Sequence, residues 1–404
     1  MYEDMALLAI FILIYSSVAG RVERSWISGP MIFTCFGLLI SPSEFGLLSW
    51  NVDGKILSTL AEITLAMVLF TDASSANFSV LKSSSILPSR LLFIGLPLTI
   101  LLGFGFGTLI FDDASIIAIA LLATMLAPTD AALGKAVISN TAVPDKVRQT
   151  LNVESGLNDG ICVPVLLIFL TIAQGDIGEN GTGILAIKLV LEQIGIGLLV
   201  GLLIAFTSVQ LLKLAWQQKW LTPTWRQIPV VAMALACFTM AQHFGGSGFI
   251  AAFCGGLLFG FLEENQRDEF LQAAEGTGDT LALITWIIFG AVIADTLIHD
   301  MSWSILLYAV LSLTVIRMLP VFLALTGSGI STEGKLFIGW FGPRGLASIV
   351  FAVIVIDSKM VERDPIILVV ACTIILSIIA HGITANPWAK AYGKRRAQAQ
   401  QKNA

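Results

Sequence analysis

The sequence predicts an all-α polytopic membrane protein of about 13 transmembrane helices, arranged as two inverted six-helix repeats. Three observations lead there. Of 404 residues, 56% are hydrophobic and 13% charged, with a mean hydropathy of +0.86; soluble domains carry about 25% charged residues. Apolar segments long enough for a bilayer recur along the whole chain. Segment starts at 5, 26, 56, 88 and 114 recur at 227, 246, 278, 303 and 333, a shift of 215 to 222 residues.

About 20 helical residues cross about 30 Å of hydrocarbon. On that measure the first six spans lie near 5–20, 26–41, 56–72, 88–110, 114–138 and 146–173. A linking span follows at 184–213, then six more near 227–243, 246–262, 278–298, 303–326, 333–356 and 364–385. The span 246–262 carries the weakest signal, being short and rich in glycine. Residues 1–183 form the first repeat, 184–226 hold the linking helix, 227–386 form the second repeat, and 387–404 are a short cytoplasmic tail. An odd linking helix turns the second copy upside down, as in many secondary transporters.

Charge sets the expected orientation. Seventeen of the 23 Lys and Arg fall on one side, from Arg21, Arg24 and Lys82 to Lys390, Lys394, Arg395 and Arg396 in the tail, whereas the other side holds Lys55, Lys188, Lys359 and Arg363. The positive-inside rule then places the N-terminus outside and the C-terminus in the cytoplasm. Met1-Tyr-Glu-Asp lacks the cationic start of a secretory signal, so the first span is expected to be retained. A net charge of −5 and a pI near 5.3 offer no basic face for nucleic acid. Membrane lipid is the expected partner. Cys35, Cys162, Cys237, Cys254 and Cys372 are scattered through apolar runs and read as small hydrophobes in helix interfaces, not a disulfide framework. An ordinary cytosolic enzyme is excluded.

Two spans contain a proline beside a charge at matching positions. The fifth reads Ala127-Pro128-Thr129-Asp130 and its counterpart Gly342-Pro343-Arg344-Gly345, with the prolines 215 residues apart. Proline removes a donor and disfavours helix at the residue before it, so both spans should break there. Broken backbone at membrane depth is tolerated where it lines a cavity, and matched breaks in two repeats point to a transport site. Asp130 and Arg344 have the signs needed to offset the dipole ends that such breaks bring together.

The sixth span carries Asn152-Val-Glu154-Ser155-Gly-Leu-Asn158-Asp159. At about 1.5 Å per residue, Asp159 lies roughly 14 Å beyond Thr150, near the midplane. An ionisable group at that depth costs at least about 2.5 kcal/mol to insert, which marks it as functional and partnered. Ser155 and Asp159 share one helical face, and Glu154 and Asn158 the neighbouring stripe. Their oxygens, opposite backbone carbonyls at Thr129, suit a hard alkali cation better than a soft metal. Arg317, on the eleventh span, needs an acidic partner, and Glu154 is the best candidate; Asp159 is then the carboxylate left to titrate. Asp72, at the end of the third span, reads either as part of a cytoplasmic funnel or as a solvated helix end. Glu62 lies within that span. Lys188 and Glu192 read as a structural pair on the linking helix. His243, His299 and His381 lie near span ends, where titration could regulate activity, but read by default as surface histidines.

Taken in order, Ala127-Pro-Thr-Asp130, Asn152 through Asp159, the Arg317 helix and Gly342-Pro-Arg-Gly345 resemble the monovalent cation:proton antiporter family of the NhaP and NHE type, across nearly the whole chain. The resemblance implies two crossed, interrupted helices in a mobile ion-transporting core, a separate dimerisation domain, and a homodimer in the plasma (inner) membrane. It implies exchange of Na+ or Li+, in some members K+, for H+, with no cofactor and no enzymatic chemistry. It assigns Asp159 as ion and proton carrier with Asn158 beside it, Ser155 and the Thr129 backbone as further Na+ ligands, and Asp130 at the helix crossing. Glu154 with Arg317 would be a stabilising pair and Arg344 a core charge at the second break. Asn158-Asp159, where electrogenic relatives have two aspartates, points to one cation per proton. Gly342-Pro-Arg-Gly345 is a variant of the more usual Gly-Leu-Arg-Gly. A cation channel, or an organic-anion transporter that uses Arg317 and Arg344, are the rival readings of the same residues.

Overall fold

The computed structural model describes residues 2–22, 25, 27–41, 54–75, 86–138, 140–173, 183–222, 224–263, 267–299, 301–358, 360 and 363–403. Arg24, Lys82 and Lys359 of the orientation reading lie outside the described residues, as does the side chain of His299. The described residues are helical in α1 (Tyr2–Val22), α2 (Gly29–Ile40), α3 (Gly54–Ser75), α4 (Ile86–Ile110), α5 (Ile116–Met125), α6 (Ala131–Ile138) and α7 (Asp145–Ala173). They continue in α8 (Gly183–Gln217), α9 (Ile228–His243), α10 (Gly248–Leu262), α11 (Arg267–His299), α12 (Trp303–Ala324), α13 (Thr332–Trp340), α14 (Leu346–Asp357) and α15 (Arg363–Asn403). The protein is all-α, as its hydropathy predicts. Six of these helices are long and apolar enough to cross a membrane on their own, and six more are apolar over 10–17 residues.

Leu109 is 77% exposed, Phe93 74%, Leu13 68% and Leu203 63%. Large apolar side chains exposed on several helices would be a liability in water and are the expected lipid face of a membrane bundle.

Local sequence explains the irregular helices. In α4 the ladder widens to a π-turn at Leu91–Gly95, directly before Pro97, which has no N–H to give back to the preceding turn. In α12 the ladder is interrupted at Thr314, and Pro320 lies inside the segment that follows. Ser115, Ser247, Ser302 and Ser331 each cap a helix start, accepting from the amides of Ala118, Ile250, Ile305 and Gly334.

Two groups of helices pack face to face. In one, α2 lies along α11 and α3 along α10, while α8 and α9 cover α10. If α2 and α3 correspond to α10 and α11, those two pairings are each other's images, as a two-fold related repeat requires. Glycine makes the crossings close: a side chain on Gly290 would run into the Thr34 carbonyl, on Gly256 into Phe70 and on Gly260 into Ser74. The glycine content that weakens the hydropathy signal of α10 is therefore what seats α3 and α8 against it. The second group holds α4, the half-helices α5, α6, α13 and α14, and α7, α12 and α15. It meets the first chiefly where α7 touches α3, α8 and α10, and where α14 touches α3.

The structure adds to two sequence readings and corrects a third. Residues 387–404, read as a short tail, continue α15 as helix to Asn403; Tyr392 is buried against Phe337, and Arg395 pairs with Glu333 at 3.0 Å. Hydropathy reads where lipid ends and does not register a helix that goes on to pack against its own protein. By the same logic α11 begins at Arg267, well before the apolar stretch at 278. Of the five cysteines, all free thiols, Cys162, Cys237 and Cys372 are buried, but Cys35 is exposed on its helix instead of filling an interface.

Candidate functional site

The fifth span breaks between Met125 and Ala131 and its counterpart between Trp340 and Leu346, each around its proline. The two gaps cross. The Asp130 amide donates to the Pro343 carbonyl at 2.8 Å, joining one unwound segment to the other. Helices α6 and α14 both begin at the crossing and bring two sets of unsatisfied N–H groups to one point. Asp130 meets both. Its Oδ1 accepts from the Leu133 amide at 2.9 Å and its Oδ2 from the Leu346 amide at 2.5 Å. Gly345 leaves room for this, since a side chain there would enter the Asp130 carboxylate.

The opposite ends carry free carbonyls. Arg344, fully buried, donates through Nη1 to the carbonyls of Ala127 and Pro128, and Ser348 donates to that of Met125 at 2.7 Å. Negative charge thus faces helix N-termini and positive charge a C-terminus, the arrangement in which dipole and charge attract.

Helix α7 presents its polar stripe to this crossing. Asn158 donates from Nδ2 to Thr129 Oγ1 at 2.7 Å. Ser155 spends its proton on the Leu151 carbonyl, 2.9 Å away, and lines a small cavity with Thr129, Asp130 and Pro343. One turn further, Asp159 is 6% exposed, and its Oδ1 is bonded to no protein group. Asp72 and Asp130 are the carboxylates that act on it through space. Glu154, on the neighbouring stripe, is bound by Arg317 Nη1 at 2.6 Å, both side chains being almost wholly buried. Gly342 makes space for that guanidinium. The structure therefore brings Thr129, Asp130, Glu154, Ser155, Asn158, Asp159, Arg317 and Arg344 into one buried region.

Residues 6–391 match the transmembrane sodium/hydrogen exchanger family. The chain belongs to that family. This exchanger is 22% identical over 391 residues to a K+/H+ antiporter NhaP of Alkalimonas amylolytica, an alignment that covers 96% of this chain and 67% of that protein. It is 27% identical over 285 residues to a Na+/H+ antiporter NhaH of Halobacillus dabanensis, covering 67% of this chain and 68% of the other. The solved structure of the sodium proton antiporter MjNhaP1 from Methanocaldococcus jannaschii at pH 8 superposes with a TM-score of 0.78 at 22% identity, over 96% of this chain and 97% of that one, and shows the shared fold. Membership identifies this exchanger as an integral membrane transporter of the cation:proton class.

Sequence reasoning undervalued two positions. Asp72, read equally as a solvated helix end, packs against the Gly156 stretch of α7, one turn before Asp159. His381, read as a surface histidine, is 1% exposed; its Nε2 lies 2.7 Å from the Trp340 carbonyl. His243, in contrast, is exposed. The spacing Ser377, His381, Thr384 puts a polar stripe on one face of an apolar helix, a signal available in the sequence.

Proposed function

We propose that this chain exchanges Na+ or Li+, or K+, for H+ by alternating access, one cation for one proton, with both competing for Asp159. The observation that carries the reading is the buried Asp159 oxygen without a protein partner, beside three charges that all have one. Asp130 is held by two amides, Glu154 by Arg317, and Arg344 by two carbonyls. A carboxylate left alone at depth must take up a cation or a proton. Ser155, the Thr129 backbone and Asn158 supply further oxygens for a hard monovalent ion.

Coupling follows from the cost of moving an unneutralised charge through low dielectric. Occupied by either ion, the site is neutral and crosses; empty, it does not. No cofactor is needed for this. The two groups of helices correspond to a dimerisation domain and a mobile core, and the functional unit is a homodimer in the plasma (inner) membrane, N-terminus outside and C-terminus in the cytoplasm. The boundaries 1–183, 184–226, 227–386 and 387–404 describe two inverted repeats, a linking helix and a tail, with α15 running on through the last.

An organic-anion transporter built on Arg317 and Arg344 is disfavoured because both guanidiniums are closed to solvent, each holding protein acceptors through its Nη1. The deciding experiment is dissipation of a pH gradient in proteoliposomes by Na+, Li+ and K+, with and without an imposed membrane potential. Saturable cation-driven proton movement that ignores the potential is expected. Cation flux without counter-movement of protons would identify a channel.

A further inference from the structure

Helix α15 holds the second break from behind. The Arg344 amide donates to Ser377 Oγ at 2.7 Å, Trp340 Nε1 donates to Thr384 Oγ1 at 2.9 Å, and His381 Nε2 lies 2.7 Å from the Trp340 carbonyl, at the C-terminal end of α13. His381 Nδ1 is 2.9 Å from the carbonyl of Ser377 and 3.2 Å from its Oγ. A carbonyl can only accept, so the ring bonds the Trp340 carbonyl through a proton on Nε2. The Ser377 hydroxyl oxygen accepts the Arg344 amide. The Trp340 ring packs on the imidazole, centroids 5.1 Å apart, and shields these bonds.

The same unwound segment reaches the ion site. Arg344, placed by Ser377 through its backbone, spends its side chain on Ala127 and Pro128, the two residues before Thr129. Resting on the exchange reading above, we infer that His381 and Ser377 are positioning residues for transport: they fix segment 341–345 so that Arg344 sets the first break, and with it the Thr129 carbonyl, at the distance a bound cation requires. The two residues touch neither ion nor proton. Their effect passes through Arg344, as outer-shell partners of a metal site act through its ligands.

The test compares His381→Leu with His381→Gln in the reconstituted full-length protein. Leucine fills the space without donating, whereas the glutamine amide can still donate to the Trp340 carbonyl. His381→Leu is expected to raise the apparent KM for Na+ about tenfold with maximal rate changed less than about twofold, and His381→Gln to return the KM to wild type. Purely structural packing would lower yield and melting temperature and leave KM alone. A wild-type KM in folded His381→Leu overturns the inference, as does a raised KM that glutamine does not restore. Should the leucine variant not fold, Ser377→Ala carries the test: a raised KM at near-normal maximal rate is expected, and an unchanged KM overturns it. Wild-type protein that moves no protons against Na+, Li+ or K+ would remove the functional reading itself.

Discussion

The carboxylate of Asp130 accepts the amide of Leu346 at 2.5 Å, so a residue of the first interrupted helix caps the start of the second. Its other oxygen caps its own half-helix at Leu133. Replacing an N-cap by alanine costs typically about 1 kcal/mol. Asp130→Ala removes two caps and a buried charge that faces two dipoles, and should lower stability by about 2 kcal/mol or more. Thermal unfolding in detergent checks this; Asp130→Asn, which keeps one acceptor oxygen, should fall between the two.

Gly345 is extended, with φ −160°, a conformation open to any residue, so its role is space and not backbone freedom. Gly345→Ala puts a methyl group into the Asp130 carboxylate. Exchange should fall at least tenfold in proteoliposomes while the bilayer-embedded fold survives, because the crossing shifts without leaving either break uncapped.

Asp159 has no structural partner to lose, unlike its charged neighbours. Asp159→Asn is therefore expected to fold as wild type while abolishing Na+-driven proton movement in everted vesicles. Residual pH-dependent Na+ efflux would assign the carrier role elsewhere.

Glu154 and Arg317 are a buried pair at 2.6 Å. Removing one partner of such a pair strands the other charge and costs about 3 to 5 kcal/mol. Glu154→Gln and Arg317→Gln should each reduce folded yield sharply, and the exchanged pair, Glu154→Arg with Arg317→Glu, should recover part of it. Circular dichroism melting distinguishes recovery from an additive loss.

The proposed competition between one cation and one proton for Asp159 fixes the sign of the expected pH response. Raising pH removes the competitor, so the apparent KM for Na+ should fall, by about tenfold per pH unit on the acid side where one proton leaves for each cation bound. Flux titrations at several pH values measure the slope. A KM independent of pH would separate the proton site from the cation site.

Much of this was legible along the chain because the signals act between near neighbours. Lipid selects runs of apolar residues, which marks the helices; a proline deletes a donor one turn away, which marks both breaks near Pro128 and Pro343. Helical period alone puts Ser155 and Asp159 on one face. His381 shows the limit: the stripe it forms with Ser377 and Thr384 marks a polar face without naming what that face meets, and the Trp340 carbonyl is 41 residues away. The helical packing of the tail was hidden for a related reason, since residues that pack on Phe337 and Glu333 are as polar as residues that do not.

By itself, then, the sequence determined a membrane-embedded all-α protein, two matched interruptions and a midplane cluster of oxygens. Only the tertiary structure decided which charge answers which. It gave Asp130 to two helix starts, Arg344 to the carbonyls of Ala127 and Pro128, and Arg317 to Glu154, leaving Asp159 without a protein partner for its Oδ1. The reason is range. Hydropathy and proline chemistry are properties of a few consecutive residues, whereas a buried charge is settled by whatever the fold brings to it, here from more than 160 residues away.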